Sequence, residues 1–458
     1  MLSKILIANR GEVALRVIRA CHELDIPCVA VYSEADSESL HVKEADQAVC
    51  IGPGPVIASY LNIPSVIGAA EITGCDAVHP GYGFLSENPE FVEACADNDI
   101  AFIGPGPEVM RRMGDKSLAK QTMSEARIPV IPGSEGAVAD AAEAARLAGE
   151  FGYPVMIKAS AGGGGRGMRL VHSPAEIDKA FSMASSEAET AFGDGTIYLE
   201  KAITRPHHVE IQVLADKAGS VLTLGERDCS VQRRHQKLIE ESPSPLLDQA
   251  TRQKMSEAGI AACRACGYEN AGTVEFLVDD DRNFYFMEMN TRVQVEHPVS
   301  EMVTGIDIIR EQIRIARGDL LPLTGSIQPR GHAIEMRINA EDPANDFRPN
   351  TGKVTRYLPP GGPGVRIDSH LYEGYTIPVF YDSLLAKLLV WDINREAALR
   401  RALRALDELV IEGVVTNADI YRDIIAAPDF ASGSYTTAFI EENAGRLGLD
   451  GGGETDDD

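Results

Sequence analysis

A chain of 458 residues, 44% of them apolar and 24% charged, is too long for one ordinary core and suits two to four packed units of a globular protein. Its formal charge of −26, from 69 acidic against 43 basic residues, argues against generic nucleic-acid binding, and no apolar run approaches the ~18 residues of a membrane span. Any bound polyanion must therefore be held by local clusters of Lys, Arg, backbone N–H groups and metal. The acid excess, with 31 of the basic residues arginine, is also what salt adaptation produces.

Residues 1–9 carry one early lysine and a short apolar run without a small-residue cleavage site, so they read as the first strand of a cytoplasmic protein. Further strand candidates lie at 28–32, 48–51, 76–79 and 101–103, the first strand being 4–8. Between the first two strands, Ala14, Val17, Ile18, Cys21 and Leu24 share one helical face. Strand, helix, strand in repetition predicts a doubly wound parallel sheet over residues 1–114. No G-x-G-x-x-G follows the first strand, so the phosphate turn of a dinucleotide-binding domain is missing. A second region, 115–329, contains a compact insert at 130–203 with an alanine-rich helix and a glycine run. Its later strands read as antiparallel: 208–214 and 221–225 are joined by a polar turn containing Gly219. A third region, 330–449, combines strands with a helix whose apolar positions are Leu399, Leu403, Leu406 and Val410. The acidic, glycine-rich tail 450–458 reads as disordered. The close pair Cys263 and Cys266 has no second Cys or His pair at zinc spacing and is read as ordinary thiols.

Four stretches carry chemistry. The run KASAGGGGRGM at 158–168 follows an apolar strand; its glycines free backbone N–H groups to converge on an anion and Lys158 adds charge, yet no Gly-Lys-Ser/Thr closes it as a P-loop. The strands AGTVEFLV (271–278) and FYFMEMN (284–290) flank an acidic turn. A tight loop centred between Asp281 and Arg282 would set Glu275 opposite Glu288, a like-charge pair that calls for a divalent cation, with Asn290 on the same face. Hard oxygen ligands select Mg²⁺ or Mn²⁺ over zinc. Downstream, TRVQVEH alternates polar with apolar residues, so Arg292, Gln294 and Glu296 are expected on one side of an extended chain, as an anion clamp with a candidate base. Finally, PHH at 206–208 and ERDCSVQRRHQK at 226–237 concentrate positive charge and histidine in an acidic protein, which suits a polyphosphate.

Together with IANRGE (7–12), HPGYGFLSEN (79–88) and EMNTRVQVEHP (288–298), these motifs closely resemble biotin carboxylases, members of the ATP-grasp enzymes, in order and spacing from residue 1 to about 449. The resemblance implies a mixed α/β and α+β multidomain fold: an N-terminal doubly wound domain, an ATP-grasp core with a mobile lid, and a C-terminal biotin carboxylase domain. It implies carboxylation of biotin with ATP and bicarbonate through carboxyphosphate, the first half-reaction of an acyl-CoA carboxylase. On the matching positions it assigns Lys116, Lys158, Gly164 and Gly165 to the ATP phosphates, and Glu200, Lys201 and Ile203 to the adenine pocket. His208, Gln232 and His235 are implied nucleotide contacts, and Lys237 is implied to touch the transferring phosphate. Glu275, Glu288 and Asn290 are implied ligands of two Mg²⁺ or Mn²⁺ ions. Arg292, Gln294 and the backbone of Val295 are implied to hold bicarbonate, with Glu296 as base, Arg337 stabilising the biotin enolate and Tyr82 near biotin.

Ala161, His207 and Pro363 depart from residues common in the family, the last at a dimer contact; Arg19, Glu23 and Arg366 match dimer-interface positions, which implies a homodimer. Expected partners are a biotin carboxyl carrier domain and a carboxyltransferase subunit, with no nucleic acid and no membrane. No methionine here is followed by lysine, so the biotin is expected on another polypeptide or on a segment outside this sequence. Two rival readings lose ground on the residues. An ATP-grasp ligase acting on an amine would replace the 79–88 and Arg337 elements, and a non-catalytic ATP-binding subunit would lose some of Glu275, Glu288, Arg292 or Glu296.

Overall fold

A computed structural model describes residues 2–134, 136–159, 168–192 and 194–449. The chain opens with β1 (Ile5–Ile7), β2 (Cys28–Ser33), β3 (Gln47–Gly52), β4 (Ala77–His79) and β5 (Ala101–Phe102), all parallel and ordered β3-β2-β1-β4-β5. Winding reverses direction between β1 and β4, the doubly wound arrangement expected. Alternation along β1 explains the two layers: Ile5 and Ile7 pack on Ala14, Val17 and Ile18 of α1 (Gly11–Glu23), while Leu6 joins Val66, Ala70 and Phe91 on the other face.

Residues 129–206 and 277–287 form a second compact unit. Its antiparallel sheet, ordered β7-β6-β8, consists of β6 (Val155–Ala159), β7 (Met168–Val171) and β8 (Ile197–Lys201). The helices Ala141–Phe151 and Ile177–Phe192 pack on it through Ile177 and through Ala144, Ala148 and Ala184, small residues that allow close approach to Val155, Ile157 and Leu199. The glycine-run positions Gly164 and Gly165 lie outside the described residues, as does the tail 450–458.

A larger sheet lies mostly in the first unit. Its strands are β9 (His207–Ala215), β10 (Val221–Arg233), β11 (Gln236–Ser242), β12 (Asn270–Val278), β13 (Phe284–Asn290), β14 (Gly325–Ser326) and β15 (His332–Asn339). Past two small pairs, β16 (Glu341–Asp342) with β17 (Arg348–Pro349) and β18 (Arg356–Leu358) with β21 (Val410–Glu412), it ends in β19 (Val365–Ser369) and β20 (Leu384–Asp392). The order is β13-β12-β9-β10-β11-β15-β20-β19, with β14 beside β10. The expected β9–β10 hairpin forms: Asp216 N–H bonds the Ser220 carbonyl at 3.0 Å and Gly219 takes φ +82°.

Three local expectations are corrected. The loop after β12 is centred on Asp281, because Asp279 pairs with Asn283, whose N–H also binds the Asp279 carboxylate at 2.8 Å, and Arg282 takes the left-handed φ of +64°. The C-terminal helix stops at Glu408, and Val410 instead begins β21, paired with Leu358. Residues 291–296 are a bend and a turn, not an extended run. Pro298 sits in the first turn of the helix His297–Thr304, and the bond from His297 N–H to the Gln294 carbonyl at 3.3 Å folds the preceding residues into its start.

Candidate active site

In β9 every residue from His207 to Ala215 is buried, yet His208, Glu210 and Gln212 are polar and share one face. Buried charge of this kind has to be paired. The partner is Arg227 of β10, set across from Glu210 in the ladder and fully buried. All five of its N–H donors are used: Nε on Glu210 at 2.6 Å, Nη1 on Gln212 at 2.6 Å and Ser300 at 3.0 Å, Nη2 on Thr273 at 3.1 Å and Gln294 at 2.5 Å. Because Arg227 takes the amide oxygen of Gln294, the Gln294 Nε2 is turned onto Glu275 at 2.6 Å.

Lys237 stands beside this network at the start of β11, across from Gln232. Its Nζ reaches Glu210 at 2.7 Å, Glu275 at 3.2 Å and Glu296 at 2.6 Å. Burial opposes its charge, but the surrounding carboxylates outweigh that and hold its pKa well above the usual lysine value. The same balance, read from the acids, sets burial against Arg227 and Lys237 at Glu210, which is lowered to about 2, and against Lys237 and His208 at Glu275, which lies well below the carboxylate range. His208 Nε2 is 2.8 Å from Glu275.

Glu296, 2% exposed at the N-terminus of the helix His297–Thr304, has a cation on each oxygen: Lys237 on Oε1, and Arg337 on Oε2 at 2.8 Å. It is ionised against the opposing effect of burial. Arg337, on β15, also binds Glu240 of β11 at 2.6 Å through Nε. Glu240 is raised to about 7, by burial first and by Glu296, with Arg337 pulling the other way.

The remaining first-unit residues gather around this centre. Arg292 turns away from Gln294 and Glu296: its Nε binds Glu87 at 2.9 Å and its Nη2 the Asn290 amide oxygen at 2.8 Å. The other Glu87 oxygen accepts from Thr291 N–H at 3.0 Å, so the loop 79–88 fixes the bend that carries Arg292. Asn290 donates to Glu275 at 2.9 Å. Glu288 is exposed on one side, yet the protein packed around it and the Glu275 carboxylate raise its pKa, with Lys116 the first cation to offset them. At the switch point, Asn9 donates to the carbonyls of Pro80 and Tyr82 at 2.7 Å each, and the Tyr82 hydroxyl donates to Glu12. Lys387, buried in β20, joins Glu12 at 3.1 Å to the Val295 carbonyl at 3.0 Å. His235 stands apart, exposed at the β10–β11 turn with φ +66°.

In the second unit, Lys158 of β6 pairs with Glu200 of β8, and Lys201 Nζ donates to the Gly152 carbonyl at 2.8 Å; Ile203, just past β8, is half-buried. Sequence reasoning did not single out Glu12, Glu87, Glu210, Arg227, Glu240 or Lys387. The legible signal was polar alternation inside an otherwise apolar strand at His208, Glu210 and Gln212; the others come from elements distant in sequence.

Family models match nearly the whole chain: biotin carboxylase, N-terminal domain, at 1–110; carbamoyl-phosphate synthase L chain, ATP binding domain, at 115–324; and biotin carboxylase C-terminal domain at 335–442. The biotin carboxylase of a Nostoc species is 58% identical over 440 residues, covering 96% of this chain and 98% of the relative. The chain belongs to the biotin carboxylase family. It is therefore an ATP-grasp ligase of the kind that carboxylates biotin with ATP. Solved biotin carboxylases have the same fold. The Campylobacter jejuni enzyme, in a β,γ-ATP complex, has a TM-score of 0.90 at 54% identity, over 96% of this chain and 99% of its own. The biotin carboxylase domain dimer of Hydrogenobacter thermophilus 2-oxoglutarate carboxylase, with MgADP, ADP and bicarbonate, has a TM-score of 0.90 at 48% identity, over 98% and 99%. No helix among the described residues is long and apolar enough to cross a membrane.

Proposed function

We propose that this chain activates bicarbonate with ATP and carboxylates a carrier-borne biotin as the first half-reaction of an acyl-CoA carboxylase, with Glu296 as the base. The observation that carries this reading is the double clamp on Glu296, whose two oxygens are held by Lys237 and Arg337. Both cations have a further use: Lys237 toward the transferring phosphate and Arg337 toward the biotin enolate. A phosphate that draws Lys237 away leaves Glu296 with one cation fewer, which raises its basicity as bicarbonate must be deprotonated. Gln294, fixed by Arg227, and the Val295 segment, whose carbonyl is tied to Lys387, supply a bicarbonate seat that needs little rearrangement. Arg292, held here by Glu87 and Asn290, would complete the seat by turning its guanidinium toward Gln294.

The nucleotide is assigned to Lys116, Lys158, Gly164, Gly165, Glu200, Lys201, Ile203, His208, Gln232 and His235, and biotin to Tyr82 beside Arg337. The carboxylates of Glu275 and Glu288 fit a hard divalent cation: burial, and then the Glu275 charge, raise Glu288, and oxygen donors of this type suit Mg²⁺ or Mn²⁺. Asn290 offers its oxygen to Arg292 here, so it would join them only after turning. Such ions, two in this reading, would supply charge neutralisation at the ATP phosphates. The same reading gives domains at 1–114, 115–329 with a lid at 130–203, and 330–449. It also includes a cytoplasmic homodimer working with a biotin carrier and a carboxyltransferase.

The deciding experiment is ATP hydrolysis with and without bicarbonate and biotin. Hydrolysis that needs bicarbonate and is raised by biotin, more by a biotinylated carrier than by free biotin at equal concentration, is the expected result; ATP turnover indifferent to bicarbonate overturns the proposal. The metal assignment has its own check. Glu288→Gln should raise the Mg²⁺ midpoint of the initial rate, since an amide binds a hard cation less well, and an unchanged midpoint would remove Glu288 from the ligand set.

Glu240 supplies a pH prediction. A carboxyl whose folded pKa of about 7 exceeds its unfolded value keeps a proton in the native state that the unfolded chain has released, so stability falls as pH rises from about 4.5 to 7. Glu240→Gln should remove that fall, a difference on the order of 1–3 kcal/mol between pH 5 and 7.5. Urea midpoints across that range measure it; parallel pH profiles for the two proteins would refute the shift.

A further inference from the structure

At the edge of the N-terminal sheet opposite Asn9 and Tyr82, three donors of different chemistry converge. His22 lies in the last turn of α1, Cys28 is the first residue of β2 and Asp46 immediately precedes β3. Their donor atoms form a closed triangle: Cys28 Sγ to His22 Nε2 is 3.9 Å, Cys28 Sγ to Asp46 Oδ2 is 3.5 Å, and His22 Nε2 to Asp46 Oδ2 is 3.4 Å. We propose that Cys28, His22 and Asp46 form a binding site for a borderline-soft divalent cation, Zn²⁺ foremost, with solvent as the fourth ligand.

A tetrahedral zinc takes sulfur at about 2.3 Å and imidazole nitrogen or carboxylate oxygen at about 2.0–2.1 Å, which makes the three donor–donor edges about 3.6, 3.5 and 3.3 Å. The triangle here matches each of them within about 0.3 Å, so an ion fits with side-chain adjustments alone. The mixed S, N and O set selects zinc over Mg²⁺, the opposite of the all-oxygen pair Glu275 and Glu288. Two surrounding features hold the set in place. The Asp46 Oδ2 accepts the Cys28 backbone N–H at 2.8 Å, which fixes the carboxylate next to the sulfur. The C-terminal end of α1, with its partial negative charge, also favours a cation at His22. His22 and Asp46 are about half exposed, with side chains 46% and 48% accessible, so metal and water reach the site from solvent. The bound ion would staple the end of α1 to the starts of β2 and β3.

Reduced protein stripped with a chelator and held in a large excess of Mg²⁺, which fills oxygen-only sites, is titrated with Co²⁺ and then Zn²⁺. One equivalent of Co²⁺ should give thiolate-to-cobalt charge-transfer absorption, and Zn²⁺ should bleach it. Cys28→Ser should abolish the band. His22→Ala and Asp46→Asn, both at exposed positions, should weaken zinc binding by more than the roughly 10–100-fold typical of an outer-sphere change, with bicarbonate-dependent ATP turnover unchanged as the check on folding. Absence of the band in the unsubstituted protein, or zinc affinity unaltered in His22→Ala and Asp46→Asn, would overturn the proposal, whether or not the Cys28 variant folds.

Discussion

Glu296→Gln is expected to keep ATP binding and to lose bicarbonate-dependent turnover by about 10²–10⁴-fold, the usual range for a missing general base. The amide preserves the shape of the side chain and can still accept a hydrogen bond from Lys237 or Arg337, but it cannot take a proton from bicarbonate. It also leaves Lys237 with two carboxylates, Glu210 and Glu275, where it had three. Kinetics separate these effects. A lost base lowers kcat at saturating bicarbonate, whereas a misplaced Arg337 raises the KM for biotin with little change in bicarbonate-dependent hydrolysis when biotin is omitted. Turnover near that of the unsubstituted enzyme would remove Glu296 from the role of base.

Much of the fold was legible because its first sheet obeys local rules. The strands of the parallel sheet are short apolar runs, and α1 displays its buried face at helical spacing, so β1 to β5 fall close to where periodicity puts them. What local rules misread were the ends of elements. Arg292, Gln294 and Glu296 alternate like a strand, but Pro298 sits in the first turn of a helix that begins right after Glu296, and the turn before it sends Arg292 to Glu87, Gln294 to Arg227 and Glu275, and Glu296 to Lys237. Val410 continues the apolar spacing of its helix yet is taken by strand pairing with Leu358. In each case a contact distant in sequence outweighs a pattern of a few residues.

The site shows the same division. Residues whose type is unusual for their setting, such as Lys237, Glu275 and Glu296, were visible without coordinates. Residues that act by orienting others were not, because nothing local distinguishes a positioning carboxylate from a surface one. Glu87 lies 205 positions from the arginine it orients, and Glu240 lies 97 from Arg337. Cys28, His22 and Asp46 likewise have no metal-binding spacing; they meet only because β2 pairs with β3 and α1 ends beside both.

Arg227→Met is expected to destabilise the enzyme by about 3–5 kcal/mol and to remove most activity, the typical consequence of breaking a buried ion pair from one side. The sulfur chain fills the space of the arginine stem, so the loss is electrostatic: Glu210, 0% exposed, keeps Lys237 but loses the guanidinium that does most to hold its pKa near 2. Gln294 simultaneously loses the donor that holds its amide oxygen, so that only its donation to Glu275 and Glu210 orients the amide. A double substitution distinguishes stability from function. Removing both charges, as Glu210→Leu with Arg227→Met, should recover much of the lost stability, because a buried pair replaced by apolar residues is often neutral. Activity should stay low, since Lys237 then lacks one of its anchors and Gln294 keeps only its bond to Glu275. Denaturant midpoints and bicarbonate-dependent ATP turnover for the two single variants and the double give the cycle. If the double variant regains activity together with stability, the Arg227–Glu210 pair is scaffolding alone and Gln294 does not depend on it.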